Sequence, residues 1–107
     1  KLLPDLYETE EIATEDKQVV CKFFNPCGAQ TWYIVEGKPI TSDDGESVEV
    51  VGLDQPDYIF FCYVDGFSFP EWGYITLGEL VQIRNPLYGL PIERDIYFNP
   101  CKFKEIQ

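Results

Sequence analysis

The chain has 107 residues, a length typical of one domain, and we treat residues 1–107 as a single domain. Its net charge of −11, from 8 basic and 19 acidic residues, disfavours direct binding to nucleic acid or to an anionic membrane, because phosphate contacts need Lys and Arg. The absence of histidine excludes Ser-His and Cys-His catalytic pairs.

The first third of the chain predicts a short helical stretch followed by a hairpin. Residues 2–13, LLPDLYETEEIA, are acidic and suit one or two helical turns. Residues 17–24 are rich in β-branched and aromatic side chains, which predicts a strand that ends at Asn25-Pro26. Residues 31–37, TWYIVEG, predict the next strand, and the short connection favours an antiparallel hairpin.

The middle of the chain predicts two more strands separated by polar turns. Residues 38–46 form a polar loop, and residues 47–51, SVEVV, suit a short strand. Residues 57–67 are nearly all apolar or aromatic, which indicates a strand that is buried on both faces. Residues 67–73, FSFPEWG, predict an aromatic-rich loop.

The last third predicts a helix and a final strand. Thr76 followed by Glu79 is typical of a capping box, so we predict a helix over about 76–84 that ends at Asn85-Pro86. Residues 86–91 form a loop and residues 93–100 a strand. The sum is an α+β fold with a mainly antiparallel sheet of four or five strands.

The four cysteines allow three interpretations. Two of the cysteines, Cys27 and Cys101, follow a repeated Phe-Asn-Pro sequence, which is typical of a turn. A structural zinc site of four thiolates would need all four together, at a spacing unusual for zinc. Alternatively, two of them form a disulfide, most plausibly Cys27–Cys101, or Cys21 and Cys62 are small core residues. The candidate zinc ligands are Cys21, Cys27, Cys62 and Cys101.

Two groups of carboxylates are candidate cation or catalytic sites. Glu93 and Asp95 would share one strand face, where two close carboxylates could share a proton or hold a divalent cation. A polar strand edge balanced by Arg94 is the simpler interpretation. The Asp43-Asp44-Gly45-Glu46 turn lacks the length and spacing of an EF-hand loop, which favours a solvated turn.

The acidic residues concentrate in two segments, six of them in residues 5–16 and seven in residues 36–57. We expect the acids of these two segments to form a docking face, and a separate aromatic anchor beside negative charge also suits a basic, hydrophobic-lined groove on another protein. Phe67, Phe69, Trp72 and Tyr74 supply the aromatic side chains. The predicted partner-binding residues are Glu8, Glu10, Glu11, Glu15, Asp16, Asp43, Asp44, Glu46 and Trp72.

Several pieces of the chain together resemble domain-of-unknown-function family 2958. The resemblance spans roughly residues 3–100 and is loosest over 38–56. It is carried by LYETEEIATEDK, CKFFNP, TWYIVEG, FFCYVDG, EWGYITLGEL and GLPIERDIYF. It implies a small cytoplasmic protein of bacteriophages, plasmids and integrative elements, and it supplies no catalytic residue. The cysteines are not part of the resemblance, so a metal site would be particular to this chain.

These observations predict a non-enzymatic acidic protein that acts in the cytoplasm of a bacterial host. Defence nucleases such as CRISPR effectors hold nucleic acid in basic channels, and a compact domain of charge −11 can be steered to such a channel. We therefore expect an anti-defence inhibitor of the anti-CRISPR type. The alternatives are a metal-dependent accessory enzyme and an acidic partner protein in mobile-element DNA replication or transfer.

Overall fold

The computed structural model describes residues 3–52, 55–84 and 90–106, and most of its regular structure is antiparallel sheet. The strands are β1 (Gln18–Val19), β2 (Cys21–Phe24), β3 (Thr31–Pro39), β4 (Tyr58–Asp65), β5 (Glu71–Thr76), β6 (Glu93–Arg94) and β7 (Cys101–Lys102), and the helix α1 is Leu77–Gln82. Five strands form one sheet in the order β5-β4-β3-β2-β6, and β1 pairs with β7. Antiparallel sheets with one short helix in the described residues agree with the α+β prediction at this level.

The predicted hairpin is confirmed as β2 and β3. Cys21 lies opposite Ile34, and Phe24 lies opposite Thr31. The strand predicted over 57–67 is present as β4, which pairs with β3 on one side and with β5 on the other. Its central position explains why its sequence is apolar on both faces.

The five-stranded sheet has two faces of different character. The face that we call the core face packs against α1, and the buried cluster between them contains Trp32, Ile34, Phe60 and Cys62 of the sheet and Leu80 of the helix. Because successive strand residues point to opposite faces, the residues between them form a second face. We call this the aromatic face, and its rings are Tyr33, Phe61, Tyr63, Trp72 and Tyr74.

The helix α1 begins where the capping box predicts it but is shorter than the range 76–84. The Thr76 hydroxyl accepts a hydrogen bond from the Glu79 amide at 3.0 Å, and the Glu79 carboxylate accepts one from the Thr76 amide at 2.9 Å. The helix ends after Gln82, because Ile83 already has an extended backbone. The predicted stop at Asn85-Pro86 lies outside the described residues.

The acidic N-terminal stretch forms turns instead of the predicted short helix. The amides of Glu8, Glu10 and Ile12 each donate to the carbonyl three residues before them, at 3.1, 3.3 and 3.0 Å. Tyr7 has a φ of 70°, which is incompatible with a continuous right-handed helix. A single 3-10 turn follows at Thr14–Asp16.

Three other predicted elements differ in extent. The strand predicted over 17–24 divides at Val20, because Val19 pairs with Cys101 in the small sheet while Cys21 pairs with Ile34 in the large one. Residues 47–51 make only isolated bridges, such as Thr41 with Ser47. The sheet also extends into the predicted aromatic loop, because β5 starts at Glu71.

The last predicted strand, residues 93–100, is reduced to the two residues of β6. Asp95 ends it, because its carboxylate accepts a hydrogen bond from the Tyr97 amide at 3.0 Å and its carbonyl accepts one from the Phe98 amide at 3.2 Å. Asp commonly forms such turns by bonding to the backbone two residues on.

Candidate partner-binding surface

A buried carboxylate, Glu36, fixes the N-terminal segment to the sheet. The pairing of β3 with β4 shifts between Ile34 and Glu36, so that Val35 is an extra residue in a β-bulge. The Glu36 side chain accepts hydrogen bonds from the Tyr7 amide at 2.8 Å, from the Thr9 amide at 3.0 Å and from the Thr9 hydroxyl. Only 3% of Glu36 is exposed, so these bonds replace its contacts with water.

A second buried charge lies on the other side of Thr9. The Lys17 ammonium group donates to the Thr9 carbonyl and, at 2.9 Å, to the Thr9 hydroxyl. Lys17 is 8% exposed. Glu36 and Lys17 are therefore bridged by one threonine, and a buried charge of each sign is compensated. The Gly37 amide also donates to the Pro4 carbonyl at 2.9 Å, which adds a backbone bond between segment and sheet.

This attachment leaves the acids of the N-terminal segment on the surface. Glu8, Glu10, Glu11 and Glu15 are all exposed. Asp16 forms an ion pair with Lys104 at 3.2 Å, so its charge is partly neutralised. Five acids are predicted to bind a partner in this segment. The four glutamates present a stronger negative field than Asp16 does, because Lys104 neutralises part of the charge of Asp16.

The second predicted acidic group lies in a turn that follows β3. Asp44 accepts hydrogen bonds from the Ser42 hydroxyl and, at 3.0 Å, from the Glu46 amide. The Ser42 bond, followed by the Glu46 bond, lowers the pKa of the Asp44 carboxyl. Asp43, Asp44 and Glu46 are exposed, as predicted for a solvated turn.

Both acidic segments are attached near the carboxyl end of β3. The N-terminal segment bonds to Glu36 and Gly37, and the loop begins after Pro39, where the Ile40 amide donates to the Asp57 carbonyl at 3.0 Å. The fold thus joins two regions that are distant in sequence to the same end of one strand.

Trp72 has more internal contacts than a free-standing anchor would have. Its ring lies 5.3 Å from the rings of Phe61 and Tyr63 and 5.0 Å from that of Phe103, and the residue is half-buried. It lies in β5, not in a loop. Its main contribution in this structure is to pack the aromatic face.

Tyr7 and Tyr74 are the more exposed rings beside the acids, at 59% and 51%. A hydrogen bond between their side chains raises the pKa of Tyr74, and the negative charges of Glu36 and Glu10 raise it further. We call this surface the Tyr7–Tyr74 patch, with Glu10 at its rim. Tyr7 is not among the residues that the sequence predicts for the surface, and the sequence places Tyr74 in the same aromatic stretch as Trp72. The signal for both would have been the buried Glu36, which brings the segment onto the aromatic face.

The structure does not bring the four cysteines together. Cys21 and Cys62 lie on the core face on either side of Ile34, two strand spacings or about 10 Å apart. Cys101 lies in the small sheet opposite Val19, and Cys27 lies in the turn after β2. Among the described residues, no group of three or more Cys, Asp or Glu side chains has a geometry that could hold a metal ion.

The thiols themselves differ in burial. Cys62 is fully buried, and burial raises its pKa to about 12. Burial also raises the pKa of Cys21, and the charge of Arg94 offsets part of that effect. Cys101 carries a free thiol, so the Cys27–Cys101 disulfide is not formed in the described part of the chain. The core interpretation therefore suits Cys62 best.

The two Phe-Asn-Pro-Cys stretches have different structures. In the first, the Asn25 side chain accepts from the Cys27 amide at 3.1 Å, which is a turn stabilised by asparagine. In the second, Cys101 is the first residue of β7.

The two carboxylates of the predicted Glu93 and Asp95 pair have different surroundings. Asp95 forms an ion pair with Lys22 at 3.6 Å, whereas Glu93 is exposed.

The fold and surface together define a small antiparallel-sheet protein with an acidic, tyrosine-containing patch. A family model described as protein of unknown function (DUF2958) matches residues 1–103, and the chain belongs to this family. No curated protein and no solved structure matches the chain. In the described part of the chain, no helix has the length and apolarity that crossing a membrane requires.

Proposed function

We propose that this protein is a non-enzymatic inhibitor that binds the basic nucleic-acid channel of a host defence nuclease, for example a CRISPR effector. The observation that carries the proposal is the Tyr7–Tyr74 patch, where two half-exposed rings lie beside the exposed glutamates of the N-terminal segment. The expectation that the gene belongs to a mobile element, and that the protein acts in the cytoplasm of a bacterial host, comes from the family resemblance.

The charge distribution supports a basic partner. The net charge of −11 attracts a positively charged surface from a distance and increases the rate of association. Nucleases that hold guide RNA and target DNA have such a channel, lined for backbone phosphates. The exposed carboxylates of Glu8, Glu10, Glu11 and Glu15 would occupy the positions of phosphates in it.

The aromatic rings supply binding affinity that charge alone does not. Exposed ion pairs contribute little to affinity, whereas tyrosines at the centre of an interface commonly contribute 2 kcal/mol or more each, an order-of-magnitude figure. Tyr7 and Tyr74 already lie close to each other before a partner binds. Because Glu36 holds the Tyr7 amide, less conformational entropy is lost on association than for a free segment.

Capture from host cells tests the proposal. Tagged full-length protein is recovered from a bacterial strain that expresses a CRISPR effector, and the bound fraction is examined for that nuclease. The Glu10→Gln/Glu11→Gln variant should reduce the recovered nuclease about tenfold. A control, Glu71→Gln/Glu93→Gln, removes the same charge from exposed positions outside both acidic segments and should bind normally.

Other results would change the assignment. Recovery of a replication or conjugation protein in place of the nuclease would favour the partner role in mobile-element DNA transfer. Equal loss of binding in both charge variants would show that total charge, not the Tyr7–Tyr74 patch, governs association, and the proposal would be wrong.

A further inference from the structure

The core face contains a cavity that neither the acidic surface nor the proposed inhibition uses. Its volume is about 690 Å³, within the range of about 300–1,000 Å³ that small-molecule sites have. It lies over β2, the end of β3 and the start of β4. Its apolar walls include Val20, Phe23, Pro39, Tyr58, Phe60 and Leu77.

The charge of this cavity is opposite to that of the rest of the molecule. Although the chain has 19 acidic residues, no Asp or Glu is among the described residues that line the cavity. Arg94 is the one charged residue among them. Within the described residues, Arg94 also makes no ion pair with a carboxylate, so its guanidinium group remains available to an anion.

The charged residue lies at one end of the cavity. Arg94 is on β6, the outermost strand, directly opposite Phe23 of β2. Tyr58 and Phe60 are on β4, three strand spacings or about 14 Å from β6. An extended ligand with one charged end would place that end at Arg94 and its apolar part across the sheet.

Gly37 lets two apolar side chains pack closely against β3 in the middle of this path. A side-chain carbon at position 37 would lie 2.7 Å from the Phe60 ring and 2.9 Å from Leu3, both closer than side-chain contacts allow. The glycine therefore permits Phe60 and Leu3, which both line the cavity, to approach the backbone of β3.

We propose that this cavity binds a single-chain amphipathic anion, a medium-length fatty acid or a molecule of the same chemistry, with the anionic group at Arg94. The apolar chain lies over Phe23 and Phe60. The occupant is a small molecule, and the site is separate from the Tyr7–Tyr74 patch on the other face of the sheet.

Calorimetric titration of the purified full chain tests this assignment, with three probes that share a twelve-carbon chain and are used below the concentrations at which they aggregate. Dodecanoate should bind with a stoichiometry of one and about fivefold more tightly than the neutral dodecanol, while dodecyltrimethylammonium should bind least. Decanoate should bind more weakly than dodecanoate, by about fourfold for each methylene group removed.

Two variants and a control locate the site. Arg94→Gln should abolish the preference for dodecanoate over dodecanol, while Arg84→Gln, which removes the same charge outside the cavity, should retain it. Gln55→Trp places a large ring at an exposed position of the cavity wall and should weaken the binding of both dodecanoate and dodecanol. Circular dichroism confirms that each variant is folded.

Absence of dodecanoate binding, equal binding of the cationic probe, or identical behaviour of Arg94→Gln and Arg84→Gln would each overturn the assignment. Unchanged affinity in folded Gln55→Trp would do the same. If Arg94→Gln does not fold, the three probes and Gln55→Trp still decide the result.

Discussion

Replacing Glu36 with glutamine should detach the N-terminal segment and destabilise the protein. The wild-type carboxylate accepts three hydrogen bonds from Tyr7 and Thr9 and compensates the charge of buried Lys17. An amide has one acceptor oxygen, so its NH₂ group must face at least one of the donors. A charge-assisted hydrogen bond contributes about 1.5–3 kcal/mol, and an uncompensated buried charge costs about 3–5 kcal/mol. We expect a loss of about 3 kcal/mol in the free energy of unfolding.

Two measurements check this expectation. Urea denaturation gives the free energy of unfolding, and hydrogen exchange gives the local protection of the Tyr7 and Thr9 amides. Their protection should fall about 100-fold, which corresponds to the same 3 kcal/mol. Glu71→Gln is the matched control, because Glu71 is exposed and its replacement should leave both quantities unchanged. If Glu36→Gln had the urea midpoint of the wild type and both amides kept their protection, the anchoring role of Glu36 would be refuted.

Two further predictions concern the helix cap and the buried thiol. Thr76→Ala removes the capping hydrogen bond of α1 and should lower the free energy of unfolding by about 1 kcal/mol, whereas Thr14→Ala, at an exposed position, should not; urea denaturation of both variants decides this. Because burial raises the pKa of Cys62 from its ordinary value of 9.0 to about 12, the unfolded chain loses that proton first, so stability should fall as pH rises from about 9 to 12. Urea midpoints across this range should fall less steeply in Cys62→Ala than in the wild type, and equal slopes would contradict the assignment.

The parts of the fold that the sequence predicts well are those set by local chemistry. The nearly continuous apolar and aromatic run in residues 57–67 identifies β4 as a strand that is buried on both faces, and the short connection between β2 and β3 indicates their hairpin. The Thr76–Glu79 capping box marks the start of α1, because both of its hydrogen bonds are between residues three apart.

The parts of the fold that differ from the prediction depend on contacts between residues that are distant in sequence. The N-terminal segment has the composition of a helix, but Glu36, 29 positions from Tyr7, takes its amides into another arrangement. The bulge at Val35 that brings Glu36 there leaves only a weak trace in the sequence, a glutamate within an apolar strand. The Tyr7–Tyr74 patch follows from that bulge, so it cannot be predicted from local sequence.

The central claim is that the acidic surface occupies the site of nucleic acid on a nuclease. The most direct measurement is competition, in which labelled guide RNA or DNA is bound to the purified nuclease and this protein is added. We expect it to displace the nucleic acid at a concentration that rises about tenfold for Glu10→Gln/Glu11→Gln and not for Glu71→Gln/Glu93→Gln. A stable complex that contains nuclease, nucleic acid and this protein together would contradict the claim.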